Sequence, residues 1–167
     1  MTTQLDPAAL EVLATTPAVL RALLAKLPEA TVSAAGAEGW SPKDVVAHLA
    51  SIQRAAVIER IGALLSGDGA AVPNLDEDAA LAQSGLRGRP AEDALAVFAE
   101  LRAEAMVLLR SIEPARLGQR GKHSVAGEIS VADIIHHCAY HDLLHIEQIA
   151  RLLSVPIERE RGAMRMF

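Results

Sequence analysis

Ser130–Leu153, SVADIIHHCAYHDLLHIEQIARLL, decides how the rest of the chain is read. Nothing in it breaks a helix. Ser130 with Asp133 three residues on is a helix start of the capping-box type, and Ile129 with Ile134 occupies the positions of a hydrophobic staple. At about 100° per residue, Val131, Ile134, Cys138, His141, His145, Gln148 and Leu152 fall on one stripe. The stripe is a core-facing seam interrupted by two histidines one turn apart. Histidines at i and i+4 can aim both imidazoles at one ion. His137 extends the series, but the span from His137 to His145 is about 12 Å at 1.5 Å per residue, too far for one ion. At most two neighbours serve, so a further ligand has to come from elsewhere. The alternative is a pair of core histidines satisfied by neighbouring helices. His137 reads as a flank or dimer-surface residue and His136 as solvent-facing.

The 167 residues suit a single domain over 1–167. There is no run of eighteen apolar residues, so no membrane span is expected. The N-terminal MTTQLDPAAL lacks the pattern of a signal peptide, and the one cysteine, Cys138, fits a reducing cytoplasm. Cys138 reads as a small core residue, with a fourth-ligand or redox role as the alternative. A net charge of -5 and four aromatics give little for nucleic acid to hold. No strand-length alternation is visible, and the chain reads as all-α.

Four main helices are expected. Asp6-Pro7 and Thr16-Pro17 are both helix starts, read as a lead-in over 7–15 and a first helix over 17–27. The second, over 40–65, is capped by Ser41 with Asp44 and carries His48 beside its apolar stripe. His48 on its own also suits a satisfied core position. Residues 66–89 form a long connection, with a helical turn or two over 76–84; Asp76-Glu77-Asp78 reads as a solvated face or helix start, with a metal role as the alternative. The third helix runs from 90 to 112, with Leu95, Phe98, Leu101, Ala105, Leu108 and Ile112 inward. The loop 115–129 holds His123, which is read as solvent-facing or as rimming a site. The fourth helix is Ser130–Leu153. Ser41-x-x-Asp-Val-Val-x-His48-x-Ala parallels Ser130-x-x-Asp-Ile-Ile-x-His137-x-Ala, which two helices obeying the same start rules explain better than a repeat.

Together these make a four-helix bundle. The long second connection favours up-down-down-up topology, with the second and fourth helices antiparallel. His48 then stands level with His141 and His145. In an up-down-up-down bundle it would face His137 instead.

Gly39-Trp40-Ser41-x-x-Asp44-Val45-x-x-His48-Leu49, then Gly127-Glu128-x-Ser130-x-x-Asp133, then His141-Asp142-x-x-His145-x-x-Gln148-Ile149 resemble the DinB/YfiT-like superfamily in content and order. The resemblance implies an up-down-down-up four-helix bundle and frequent homodimers. It implies a divalent metal, zinc or nickel, held by His48, His141 and His145. It also implies a small-molecule substrate and chemistry such as thiol-dependent transfer or isomerisation using a low-molecular-weight thiol. Metal-dependent hydrolysis, or a non-catalytic stress-associated metal-binding bundle, are the other readings. Three imidazoles leave a coordination position open, where a water or thiol would become a nucleophile near neutral pH. No strongly placed general base is visible. Asp142 and Gln148 are candidates to orient an imidazole from outside the ligand set.

Overall fold

The computed structural model describes residues 4–166. Its helices are α1 (Pro7–Leu24), α2 (Glu29–Val32), α3 (Pro42–Gln53), α4 (Arg60–Ser66), α5 (Glu77–Ser84), α6 (Ala91–Ser111) and α7 (Val131–Arg159). A π-helical turn, Arg54–Glu59, joins α3 to α4 without interruption, so 42–66 is one rod. With α1, α6 and α7 it makes the four-helix bundle.

Paired contacts fix the directions. Leu13 meets Arg102 and Arg21 meets Glu92, so α1 and α6 are antiparallel. His48 stands beside His145, and Ala56 beside Cys138, so α3 and α7 are antiparallel. Asp6 meets His136 at one end of α7, while Leu20 and Leu24 share a cluster with Ile149 further along it, so α1 and α7 are parallel. The order is up-down-down-up.

The two longest rods of the bundle start as their residues dictate. Ser41 with Asp44 opens α3 and Ser130 with Asp133 opens α7, each as a reciprocal capping box. The parallel between those two stretches is the parallel of two identical caps. Asp76 caps α5 by accepting from Ala79 N, within the expected 76–84.

Three elements differ from the sequence reading. The first helix does not restart at Thr16-Pro17; it runs unbroken from Pro7 through Pro17. A proline in mid-helix removes the donor for the carbonyl four residues back. Here that carbonyl is Leu13 O, and the Arg102 guanidinium donates to it at 2.8 Å. The fourth helix continues past Leu153, through Pro156, to Arg159. Finally, three short strands, β1 (Ala70–Val72), β2 (Arg120–His123) and β3 (Gly127–Ser130), form a small sheet at one end, β1 parallel to β2 and β2 antiparallel to β3. Three- and four-residue strands are too short to show alternation. Gly121 is obligatory in β2: a Cβ there would stand 2.5 Å from Ala70 O. His123 neither rims the histidine site nor faces freely into solvent; its Nδ1 accepts from Val125 N and Ala126 N in the β2–β3 turn.

The core is two apolar clusters. One holds Leu20, Leu24, Val45, Leu49, Leu95, Phe98 and Ile149. The other holds Leu13, Val57, Ile61, Leu64, Leu109, Val131 and Ile135. Between them lies a polar belt with a member from every rod. Arg102 of α6 pairs bidentately with Asp142 of α7 at 2.5 and 3.0 Å, and donates to Gln53 Oε1 of α3 and Leu13 O of α1, each at 2.8 Å. Both charged residues are 2% exposed. A buried guanidinium is tolerated when most of its donors are matched; here the four on its terminal nitrogens are, while Arg102 Nε and Gln53 Nε2 are buried without a partner among the described residues.

Pro7–Leu24 is, among the described residues, the one helix long and apolar enough to cross a membrane, at mean hydropathy 1.3. Its Leu13, Leu20 and Leu24 are buried against the other rods, as in a bundle helix.

Candidate metal centre

Antiparallel packing of α3 on α7 puts His48 level with His141 and His145. One ring nitrogen from each of the three lies within 4.8 Å of the others, and among the described residues no other group of histidine, cysteine and carboxylate side chains converges this way. His141 Nε2 and His145 Nε2 are 3.2 Å apart. Two nitrogens bound tetrahedrally to one zinc, at roughly 2.0–2.1 Å each, would be separated by about 3.3 Å. The donor set therefore fits an ion.

Two features prepare the imidazoles for it. Gln148 Oε1 lies 2.8 Å from His145 Nδ1. An oxygen acceptor there holds the ring proton on Nδ1 and leaves the Nε2 lone pair facing His141. Burial, then the neighbouring His145, pushes His48 down to about 4, and burial, then His145 and His48, pushes His141 down to about 3. Both are neutral near pH 7, the form that ligates. Trp40 stands edge-on to His48, with ring centroids 5.7 Å apart, and the Arg87 guanidinium covers the indole at 5.5 Å. Arg87 also binds Asp44 at 3.0 Å, tying the 66–89 connection over the first turn of α3.

His137 is exposed, 6.1 Å from His141 between ring centroids, and is outside the trio. His136 is half-buried instead of solvent-facing, and its Nε2 accepts from Asp6 N at 3.0 Å. Asp142 orients no imidazole: both its oxygens are taken by Arg102. Cys138 faces away, its Sγ 4.0 Å from Ala56 O, and burial pushes the thiol up to about 12.

One residue was weighed only within a run of carboxylates, and another escaped the sequence reading. Glu77, in the first turn of α5, brings Oε2 to 3.6 Å from His48 Nε2. Its only sequence signal is a run of carboxylates at a helix start, which says nothing of reach. Arg102 was more legible. The buried face of α6 is Ala91, Leu95, Phe98, Arg102, Ala105 and Leu109, a 3-4 series that passes through the arginine. Reading Leu101 and Leu108 as inward rotates the face by one residue; both are only half-buried.

Beside the trio opens a groove of about 950 Å³ lined by Trp40, His145 and Gln148 and by the 30–38 segment facing the second half of α7.

Fold and cluster define an up-down-down-up four-helix bundle with a three-histidine cluster between its second and fourth rods. The chain belongs to the DinB superfamily, whose family model matches residues 13–149. Among solved structures it is similar to YfiT from Bacillus subtilis, with TM-score 0.74 and 23% identity over 87% of this chain and 83% of that one. YfiT is described as a probable metal-dependent hydrolase with an unusual four-helix bundle topology. At that identity the likeness establishes the fold. No curated protein matches the chain.

Proposed function

We propose that this chain is a single-metal enzyme, holding zinc or nickel on His48, His141 and His145, and that its reaction is a hydrolysis. The observation that carries the reading is the convergence of three imidazoles beside a groove, the one such group of histidine, cysteine and carboxylate side chains among the described residues. An ion on three imidazoles supplies a Lewis acid and lowers the pKa of a water or thiol toward neutrality. The chain's own residues do the rest. Gln148 fixes the His145 tautomer, burial keeps His48 and His141 unprotonated, and Glu77 Oε2, 3.6 Å from His48 Nε2, is a carboxylate that would accept a proton from a water held there. The description of YfiT points the same way.

The second reading is the transfer of a low-molecular-weight thiol to an electrophile. The room in the groove favours it, since about 950 Å³ accommodates two small reactants. A purely structural ion would take four protein ligands. The test sets metal-loaded protein against chelated protein on esters and amides, and on electrophiles with and without added thiols. Metal-dependent hydrolysis without thiol supports the first reading. Turnover that requires a thiol replaces it with the second. Stoichiometric metal without turnover in either arm leaves the structural role.

A homodimer and a cytoplasmic location complete the proposal. The first draws support from exposed apolar side chains on α1 and α6, the second from a lone, buried thiol.

A further inference from the structure

We propose that the groove beside the trio seats an elongated small molecule with an apolar body and an anionic end, the anion lying in the outer half of the groove, along which Arg151 and Arg159 stand. This rests on the reading of the trio as the reacting centre and names the class of substrate it takes.

The groove has direction. His145 and Gln148 lie at one end and Arg159 at the other. With 1.5 Å per helical residue, Arg151 is about 9 Å and Arg159 about 21 Å from His145 along α7. One wall is α7 itself, where Leu144 and Val155 are 41% and 43% exposed. The other is the segment after the short α2, whose alanines leave the groove wide. Gly36 lets that segment close against α7: a Cβ there would come 2.4 Å from Leu152 Cδ2. The result is an apolar slot with a closed side and an open top.

The charges sort along it. The groove's carboxylates are Glu38 and Glu147, the latter near the trio, and both arginines stand further out along α7. Arg159 makes no ion pair among the described residues, and Arg151 pairs only with Glu147, one helical turn away at 3.3 Å. Exposed pairs of that kind are worth only a few tenths of a kcal/mol, so an incoming carboxylate displaces Glu147 readily. An anion is therefore drawn to the outer half and the opposite end of the molecule is delivered to the histidines.

Trp40 makes the test direct, because it lines the groove and is the chain's single tryptophan. Metal-free protein is titrated with straight-chain carboxylates from butanoate to dodecanoate, and with the matching alcohols, while Trp40 fluorescence is recorded. The expected response saturates at one ligand per chain and tightens by about fourfold per added methylene, the equivalent of ~0.8 kcal/mol per buried CH₂. The acids should bind at least tenfold tighter than the alcohols. Arg151→Ala with Arg159→Ala should erase that preference and leave the alcohols unchanged. Ala34→Phe and, separately, Ala35→Leu should block both series in protein whose circular dichroism is native. An absent response, equal binding of acid and alcohol, or undiminished binding in both filled variants overturns the proposal. So does ligand-driven dissociation of a dimer, which would show a second copy covering the groove. Because the titration uses metal-free protein, repeated on His48→Ala, it stands or falls separately from the metal. Elemental analysis of the same preparations reports on the trio alone.

Discussion

At the scale of single residues, the pair on α7 was readable from spacing alone, since a helix turns by a fixed angle. The third member was not. His48 could be assigned only once the direction of α3 against α7 was known, and two directions gave two different trios. The measurement that separates them is metal content. His145→Ala, which removes one of three nitrogens lying within 4.8 Å of each other, should empty the site, while His137→Ala, on an exposed flank, should leave about one equivalent bound. The opposite result would overturn the ligand set. Acid stability gives a second check. An unfolded histidine takes its proton near pH 6.5, whereas folded His48 and His141 refuse theirs until about 4 and about 3. Their contribution is thus fully present above pH 6.5 and is lost as pH falls through that window. Urea midpoints of chelated protein at pH 7, 5.5 and 4.5 should decline, and a His48→Asn, His141→Asn chain should decline less steeply. Parallel slopes would show that the two rings do not resist protonation.

At the scale of elements, sequence rules worked where structure is local and failed where a distant group intervened. The caps of α3 and α7 were legible because a serine and an aspartate three residues apart meet within one turn. Pro17 was misread because its effect depends on a side chain from another helix. The missing donor at Leu13 O is replaced by Arg102, so a proline that ought to end α1 does not. A helix-interior proline normally costs about 3 kcal/mol relative to alanine. Pro17→Ala should therefore gain well under that in chemical denaturation, and should gain more in an Arg102→Met background. Equal gains in the two backgrounds would mean that Arg102 compensates nothing. The small sheet was illegible for another reason. β1 joins through pairings between residues some fifty positions apart, Ala70 with Gly121 and Val72 with His123, and through a glycine that admits the neighbouring carbonyl, while the local β2–β3 hairpin has strands of four residues, too short to show alternation.

At the scale of the whole molecule, apolar and polar surfaces make separate demands. Val19 on α1 and Val107 on α6 are 37% and 75% exposed, which motivates the proposed homodimer. Light scattering at tens of micromolar should return twice the 17.7 kDa chain mass; the single mass would count against it. Within the chain, Asp142→Ala strands a buried guanidinium and should lower stability by roughly 3–5 kcal/mol, whereas Arg102→Met with Asp142→Leu should recover most of the loss. A double variant as weak as the sum of the singles would show the pair to be uncoupled. Arg102 also bears on how the chain assembles. Its partners come from the three rods other than its own, the first at Leu13 and the last at Asp142. An intermediate lacking α1 or α3 leaves one of its partners missing, and one lacking α7 leaves its charge unpaired. Opening of α1 alone therefore breaks a buried bond between residues 89 positions apart, Arg102 to Leu13 O, whereas the charge of Arg102 is neutralised by closing only the 40-position separation to Asp142 on the next rod.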